Sequence, residues 1–212
     1  MKKTAPTKSQ LVYEGIRRMI LTGQLSESAT WSIRTLAVRF NMSMVPVYGA
    51  IRRLEQEGIL VVRPKSGIRV RKLSTAEIRE AFVVREGLEV QAVRILAKKT
   101  DEKVLFELSK KARQISRLIQ VRKFQQAVIA DFEWHLFLIR SAECAILTKI
   151  YDQLSTLCML TFKTWDAKKV EREQSKPHVL HMKLVDAIRS GNANKAEIAV
   201  RHHIRSYASS PG

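Results

Sequence analysis

The sequence is poor in the features that mark secreted, membrane-spanning and metal-finger proteins. It has only two cysteines, Cys144 and Cys158, and neither sits in a metal-finger spacing. No apolar run approaches the roughly 18 residues that a membrane helix needs. The basic start, MKKTAPTKSQ, is not followed by the apolar segment of a secretory signal. We therefore expect a cytoplasmic protein with reduced core thiols and no membrane partner.

Acidic residues are also scarce. The chain has 38 Lys+Arg against 20 Asp+Glu, a formal net charge of +18. Residues 1–73 carry 14 Lys/Arg and 4 Asp/Glu, whereas residues 74–212 carry 24 and 16. Such a charge favours a polyanionic partner, with nucleic acid as the first expectation and improved solubility alone as the alternative. Its concentration in the first third predicts a DNA-binding module there.

Glycine and proline become rare after residue 73. Apart from the last two residues, the second segment contains only Gly87, Gly191 and Pro177. Helical periodicity covers residues 75–98, 102–119, 122–142, 145–166, 177–190 and 193–208. Ser74, Asp101 and Asn192 are suited to N-cap positions. The pattern predicts an antiparallel all-α helical bundle over residues 74–212, with a polar loop within 163–177.

Residues 9–73 follow a different order, with three helices and then a hairpin. The first helix runs from about Gln10 to Thr22, and the second follows Ser32. The third helix has Ser43 at its start and apolar residues at helical spacing (Val47, Ile51 and Leu54). Residues 59–63 and 67–72 flank a turn, with alternating apolar and basic residues in the second strand. This order predicts a winged helix-turn-helix over residues 1–73, in a protein that is mainly α.

Several segments, taken in order, resemble GntR-type bacterial transcription regulators. YEGIRRMILTGQL (13–25), IRTLAVRFNMS (33–43), VPVYGAIRRLEQEGIL (45–60) and GIRV (67–70) resemble the DNA-binding module of that family. VVREGLEVQAVRILA (83–97), DFEWHLFLI (131–139) and HMKLVDAIRSGNANKAEIAVRHHI (181–204) resemble the all-helical, FCD-type effector domain of its FadR branch. The resemblance implies a homodimeric regulator and not an enzyme, with residues 74–212 responsible for dimerisation and for metal and ligand binding.

The expected DNA surface lies on the third helix and the wing. Recognition helices present their N-terminal residues to base edges in the major groove. We assign DNA contacts to Arg34, Ser43, Met44, Val45, Tyr48, Lys65, Ser66 and Gly67. Family members usually carry arginine at the positions of Met44 and Tyr48, and glutamate at that of Gly49. Arginine contacts guanine O6 and N7, whereas Met44 and Val45 offer only apolar contact, for example to a thymine methyl.

This departure predicts an altered sequence preference. Binding to phosphates should remain strong and salt-sensitive. The alternative is a basic platform that has lost base readout altogether. A second departure replaces the family's usual Gly-Asn after the 131–139 segment with Glu143-Cys144.

Four residues are candidates for a metal site. Asp131 and His135 are four positions apart and share a helix face, and His181 and His203 lie in later helices. Such a set suits zinc, nickel, iron or manganese, although spacing alone leaves buried histidines with ordinary hydrogen bonds as an alternative. All four match positions that bind metal in the metal-containing members of the branch. His202 would lie about 100° round the helix from His203, and His178 one turn before His181, so we expect neither to be a ligand.

Arg85 is the candidate effector ligand. An octahedral metal ion held by four protein ligands keeps open positions that a small carboxylate can fill, and an arginine can clamp that carboxylate. Arg85 matches a pocket position of the family, whose members respond to small organic acids or, in a metal-free minority, to acyl-CoA. The alternative role of Arg85 is an ion pair with Glu89 on the next turn.

These observations predict a ligand-responsive regulator, and most simply a repressor, that binds a palindromic operator as a dimer. One alternative is a weakly specific basic DNA-binding protein. A less favoured alternative is a metal-dependent hydrolase, in which an ion activates water. Glu133 is the nearest candidate base for that chemistry, but it falls on a different helix face from Asp131 and His135.

Overall fold

The chain folds into two compact units, Met1–Leu73 and Ser74–Gly212. The computed structural model describes residues 5–25, 30–64, 66–163 and 177–208. Lys65 and most of the polar segment predicted as a loop lie outside these residues. Within the described ranges, no helix is long and apolar enough to cross a membrane. Cys144 and Cys158 are free thiols.

Three helices form the core of the first unit: α1 (Lys8–Leu21), α2 (Ile33–Phe40) and α3 (Met44–Gln56). The Thr7 hydroxyl accepts a hydrogen bond from the Gln10 N–H at the start of α1. Ser32 and Thr35 form a reciprocal capping box at the start of α2. The helices are too short to persist alone, so their buried apolar faces hold them together. Those faces comprise Val12, Ile16, Ile20, Leu36, Val47, Ile51 and Leu54.

A two-stranded antiparallel wing follows, formed by β1 (Leu60–Arg63) and β2 (Gly67–Val70). Ile68 and Val70 are buried while Arg69 is exposed, as the alternation predicts. Trp31 adds a bridge that the sequence did not reveal, through hydrogen bonds of 3.0 and 2.7 Å with Ile68. Gly67 has φ +77°, and a Cβ there would lie 2.6 Å from the Trp31 carbonyl oxygen. The fold itself therefore requires glycine at the wing tip.

The second unit is a helical bundle. Its described helices are α4 (Thr75–Lys99), α5 (Glu102–Gln120), α6 (Phe124–Ser141), α7 (Ala145–Lys163), α8 (Pro177–Arg189) and α9 (Ala193–Ala208). α4 lies along α9, α6 contacts both α5 and α7, and α8 contacts α5 and α9. The central core is mostly Leu, Val, Ile and Ala, with two aromatic side chains, Phe82 and Trp134. The predicted class, a winged helix-turn-helix followed by an all-α bundle, is confirmed.

Most predicted helix starts are confirmed by their caps. Ser74 forms a capping box with Glu77, the Asp101 carboxylate accepts from two N–H groups of α5, and Asn192 does the same for α9. Ser43 differs, because it occupies the N-cap position of α3 without a side-chain cap hydrogen bond. At the link between α6 and α7, Glu143 adopts a left-handed φ of 55°, a conformation that glycine adopts most easily.

Two helical glycines give a matched stability test. A Cβ on Gly15 in α1 would overlap the Phe40 ring, whereas a Cβ on Gly87 in α4 would meet nothing within 4 Å. We expect Gly15→Ala to lower the free energy of unfolding by about 1–2 kcal/mol, because Phe40 must move. Gly87→Ala should raise it by roughly 0.5–1 kcal/mol through helix propensity. Urea unfolding followed by circular dichroism measures both, and equal effects of the two variants would contradict the packing around Gly15.

Candidate metal and ligand site and DNA-binding surface

The helical unit brings the four candidate ligands together. Asp131 and His135 lie on α6, His181 on α8 and His203 on α9, and all four are buried. Each contributes one ligand atom to a group whose members all lie within 4.8 Å of one another. The packing of α6, α8 and α9 thus brings together residues that are far apart in the sequence, by 72 positions from Asp131 to His203. No local pattern fixes that proximity.

The distances within the cluster are those of groups that share one small centre. His181 Nε2 lies 3.0 Å from Asp131 Oδ1, and His135 Nε2 lies 3.8 Å from Asp131 Oδ2. The Nε2 atoms of His135 and His203 are 3.0 Å apart. These two rings can share one hydrogen between them, or both can present lone pairs to a cation. One carboxylate and three imidazoles form a donor set that fits a divalent transition metal.

Glu89 of α4 orients His135 from behind. Its Oε2 lies 2.8 Å from His135 Nδ1, while its Oε1 accepts hydrogen bonds of 2.7 Å from Tyr151 Oη and from Arg85 Nε. When Nδ1–H donates to a carboxylate, Nε2 keeps its lone pair, which therefore faces the cluster. In the sequence, Glu89 is recognisable only as a possible partner of Arg85 on the next turn of the helix. Its contact with His135 joins residues 46 positions apart and has no local signature.

The electrostatics favour the ligating protonation states. Burial lowers the pKa of His135, assisted by the charge of Arg85. Burial together with His181 and His135 holds the pKa of His203 well below the ordinary histidine value. For Asp131, burial alone would raise the pKa, but the His181 contact and the nearby His135 and Arg85 outweigh it and lower the pKa to about 2. Neutral imidazoles and an ionised carboxylate are the forms that bind metal.

Trp134 forms a wall of the cluster that sequence reasoning missed. Its ring is fully buried and meets His135 and His181 edge to face, with centroid distances of 4.9 and 4.7 Å. Its Nε1 donates to the Leu108 carbonyl oxygen at 2.9 Å. The indole therefore holds two of the candidate ligands in place from one side. A buried aromatic next to a histidine looks in sequence like any other core residue.

The remaining candidates fall outside the cluster. His202 and Glu133 are exposed, in agreement with their predicted positions on other helix faces. His178 lies in the first turn of α8, and its side chain is outside the described part of the structure. Arg85 is buried and pairs with Glu89, which is the alternative that helical spacing allows. Within the described residues, the only hydrogen bond of the Arg85 guanidinium is the one that its Nε donates to Glu89.

The proposed DNA surface of the first unit is largely exposed. Ser43, Met44, Val45 and Tyr48 lie on the outer face of the first turns of α3. Arg34 in the first turn of α2 and Ser66 at the wing tip are also exposed, and Gly67 is half-buried.

Two arginines that follow on α3 have different surroundings. Arg52 lies over the Tyr48 ring, with 5.8 Å from Cζ to the centroid. Arg53 contacts the Tyr13 ring and donates hydrogen bonds to Glu57 and Gln10. Arg53 thus has a structural role, whereas Arg52 extends the outer face of α3.

Both units match known protein families. Residues 8–70 match the family described as bacterial regulatory proteins, gntR family, and residues 80–206 match the FCD domain. The second match alone covers more than half of the chain. The chain belongs to the GntR family of bacterial regulatory proteins, in the branch with an FCD domain. It is therefore a transcriptional regulator rather than an enzyme, which removes the hydrolase alternative.

Relatives of this GntR-family chain are named regulators and repressors. The HTH-type transcriptional repressor RspR of Escherichia coli K12 is 24% identical over 214 residues, covering 99% of this chain and 91% of that protein. A probable D-xylose utilization operon transcriptional repressor of Paenarthrobacter nicotinovorans is 27% identical, covering 96% and 88%. The solved structure of E. coli McbR/YncC has the same fold, with a TM-score of 0.81, 16% identity and 96% of both chains covered.

Proposed function

We propose that this regulator senses a small organic acid at a metal-containing pocket in its helical unit and alters its DNA binding in response. The observation that carries the proposal is the buried Asp131–His135–His181–His203 cluster. It lies in the chain that also contains a basic winged helix-turn-helix. We propose that zinc, nickel, iron or manganese occupies the cluster, with these four side chains as its protein ligands.

The carboxylate would bind where the ion keeps open positions, with Arg85 contributing charge. Within the described residues, Arg85 forms a hydrogen bond only with Glu89, through Nε. Its two Nη groups are therefore left for a paired contact with a carboxylate. The ion would act as a Lewis acid toward the carboxylate oxygens and would fix their position. Since Glu89 contacts both Arg85 and His135, ligand and metal would bind to parts of one hydrogen-bonded network.

For the DNA-binding unit, we propose that two protomers place their α3 helices in successive major grooves of a palindromic operator in the bacterial cytoplasm. The net charge of +18 and the exposed arginines around α3 support binding to phosphates. Exposed Val83 and Val84 on α4 offer apolar surface that a second protomer could cover. Repression by promoter blocking is the mode that the names of the relatives favour.

A ligand can change DNA affinity only if it binds the competent and incompetent dimer geometries differently. The experiment therefore begins with duplexes selected from a random pool by the full-length protein. Fluorescence anisotropy and light scattering then give affinity and stoichiometry. We expect two protomers per palindromic duplex and much weaker binding to a single half-site. Equal affinity for selected and random duplexes at matched salt would favour the alternative of a weakly specific basic protein.

Arg34 provides a specific check of the phosphate contacts. Its guanidinium is exposed at the first turn of α2 and makes no hydrogen bond within the described residues. We expect Arg34→Ala to weaken binding to all duplexes to a similar extent and to reduce the slope of log affinity against log salt by about 1. Lys98→Ala in the helical unit, which removes another exposed cation, serves as the control. A loss confined to one sequence would instead make Arg34 a base-contacting residue.

A further inference from the structure

The outer face of α3 is apolar at its N-terminal end. Met44, Val45 and Tyr48 are 58%, 80% and 51% exposed, although Val47, Ile51 and Leu54 of the same helix are buried. Residues 44 and 48 are one turn apart, as are 48 and 52, so the three apolar side chains and Arg52 line one continuous face. We call Met44, Val45, Tyr48 and Arg52 the α3 face. Three neighbouring large apolar side chains exposed together indicate a binding surface.

Several cationic side chains are exposed in the same unit as this face. Arg52 lies over the Tyr48 ring at one end, and Arg34 is exposed in the first turn of the preceding helix α2. Arg63 and Arg69 on the wing and Lys72 shortly after β2 are also exposed. An apolar face in a unit with several exposed cations is complementary to a DNA groove, where phosphates form the edges and bases the floor. It is poorly suited to a basic partner, which these cations would repel.

One apolar group is exposed to proteins in the major groove, namely the C5-methyl of thymine. Neither the Met44 nor the Val45 side chain can donate a hydrogen bond to guanine, and the Met44 thioether is only a weak acceptor toward cytosine or adenine. No hydrogen bond to the Tyr48 hydroxyl is found within the described residues, so that group is available for a base or phosphate.

We propose that the α3 face recognises thymine methyl groups, and that the operator half-site of this protein contains adjacent thymines that contact Met44 and Val45. This inference rests on the proposed function, in which α3 enters the major groove. Met44 and Val45 then determine the sequence preference, whereas Arg34 and Arg52 bind DNA without distinguishing between bases.

The test removes the methyl groups without changing base pairing. Duplexes selected by the full-length protein are resynthesised with deoxyuridine in place of each thymine in turn, and their dissociation constants are measured at one salt concentration. We expect substitution of each contacted thymine to raise the dissociation constant about four-fold, which corresponds to the loss of one buried methyl group. Met44→Ala with Val45→Ala should bind thymine and uracil duplexes equally. Leu11→Ala, which shortens an exposed apolar residue of α1, should retain the wild-type preference.

The possible failures are distinguishable. Selective binding with no difference between thymine and uracil would overturn the inference and leave the proposed function intact. So would a uracil effect that persists in the double variant, because other side chains would then contact the methyl. A changed oligomeric state of the double variant, with unchanged thymine preference, would show that the α3 face contacts a second copy instead. Absence of any sequence selectivity would overturn both the inference and operator binding.

Discussion

Replacing His203 with alanine is expected to abolish stoichiometric divalent-metal binding, whereas replacing its neighbour His202 should leave binding unchanged. His203 is buried with its Nε2 3.0 Å from that of His135, while His202 is exposed on the adjacent helix face. Removing His203 takes away one metal–nitrogen bond, so the three remaining ligands should no longer retain the ion. Metal content after dialysis, measured by plasma mass spectrometry, compares the two variants directly with wild type.

His203→Ala and His202→Ala should also differ in how chelation of the metal changes their stability. An ion bound only by the folded state stabilises it by about 4 kcal/mol when its free concentration is a thousand times the dissociation constant. Chelation should therefore lower the melting temperature of wild type and of His202→Ala, but not that of His203→Ala. If His203→Ala retained one ion per chain, or if chelation left wild type unchanged, the four-residue cluster would not be the metal site.

Glu89 is expected to be the most sensitive position outside the ligand cluster. It is fully buried and accepts from Arg85, Tyr151 and His135. Glu89→Leu would leave the Arg85 guanidinium buried without its counter-charge, which typically costs about 3–5 kcal/mol of unfolding free energy. The double variant Arg85→Met with Glu89→Leu removes both charges and should recover part of that loss, because Tyr151 and His135 still lose their acceptor. Urea unfolding of the two single variants and the double variant measures the coupling between them.

Glu89→Gln separates the effect on the metal from the effect on the fold. The glutamine amide fits the space, but in either orientation its NH2 group faces a hydrogen-bond donor. That donor is His135 Nδ1 in one orientation, and Arg85 and Tyr151 in the other. Turning the amide toward His135 favours the tautomer with hydrogen on Nε2, which removes the ligating lone pair. We expect metal affinity to fall about 10–100-fold. Unchanged metal affinity by competition titration would show that Glu89 does not orient His135.

Local features were predictable from the sequence because they depend on residues close in the chain. The N-caps at Ser74, Asp101 and Asn192 and the alternation in β2 follow from hydrogen bonding and periodicity over a few positions. Helix ends were placed less accurately than helices, since a terminal turn costs little to add or remove. Ser43 stands at the start of α3, as the sequence pattern indicates, and it has the backbone conformation of an N-cap without a side-chain hydrogen bond.

The site was predictable only in part, because its contacts are formed between helices. Asp131 and His135 share a helix face that the sequence shows, but their proximity to His181 and His203 depends on how α6, α8 and α9 pack. Glu89 and Trp134 were missed because their contacts with the histidines cross between elements or resemble ordinary core packing. The bridge from Trp31 to Ile68 was missed for the same reason, since it adds one residue pair to the wing without any periodic pattern.

An operator titration measures the coupling between ligand binding in the helical unit and DNA affinity. Metal-loaded wild type is titrated into a labelled selected duplex, alone and with acetate, succinate or citrate, at constant ionic strength because DNA affinity depends on salt. We expect at least one carboxylate to change the dissociation constant by about five-fold or more, within the usual range of allosteric coupling. The change should persist in His202→Ala and disappear in His203→Ala. Identical affinity with and without every carboxylate, or an equal shift in His203→Ala, would contradict a ligand response through the metal site.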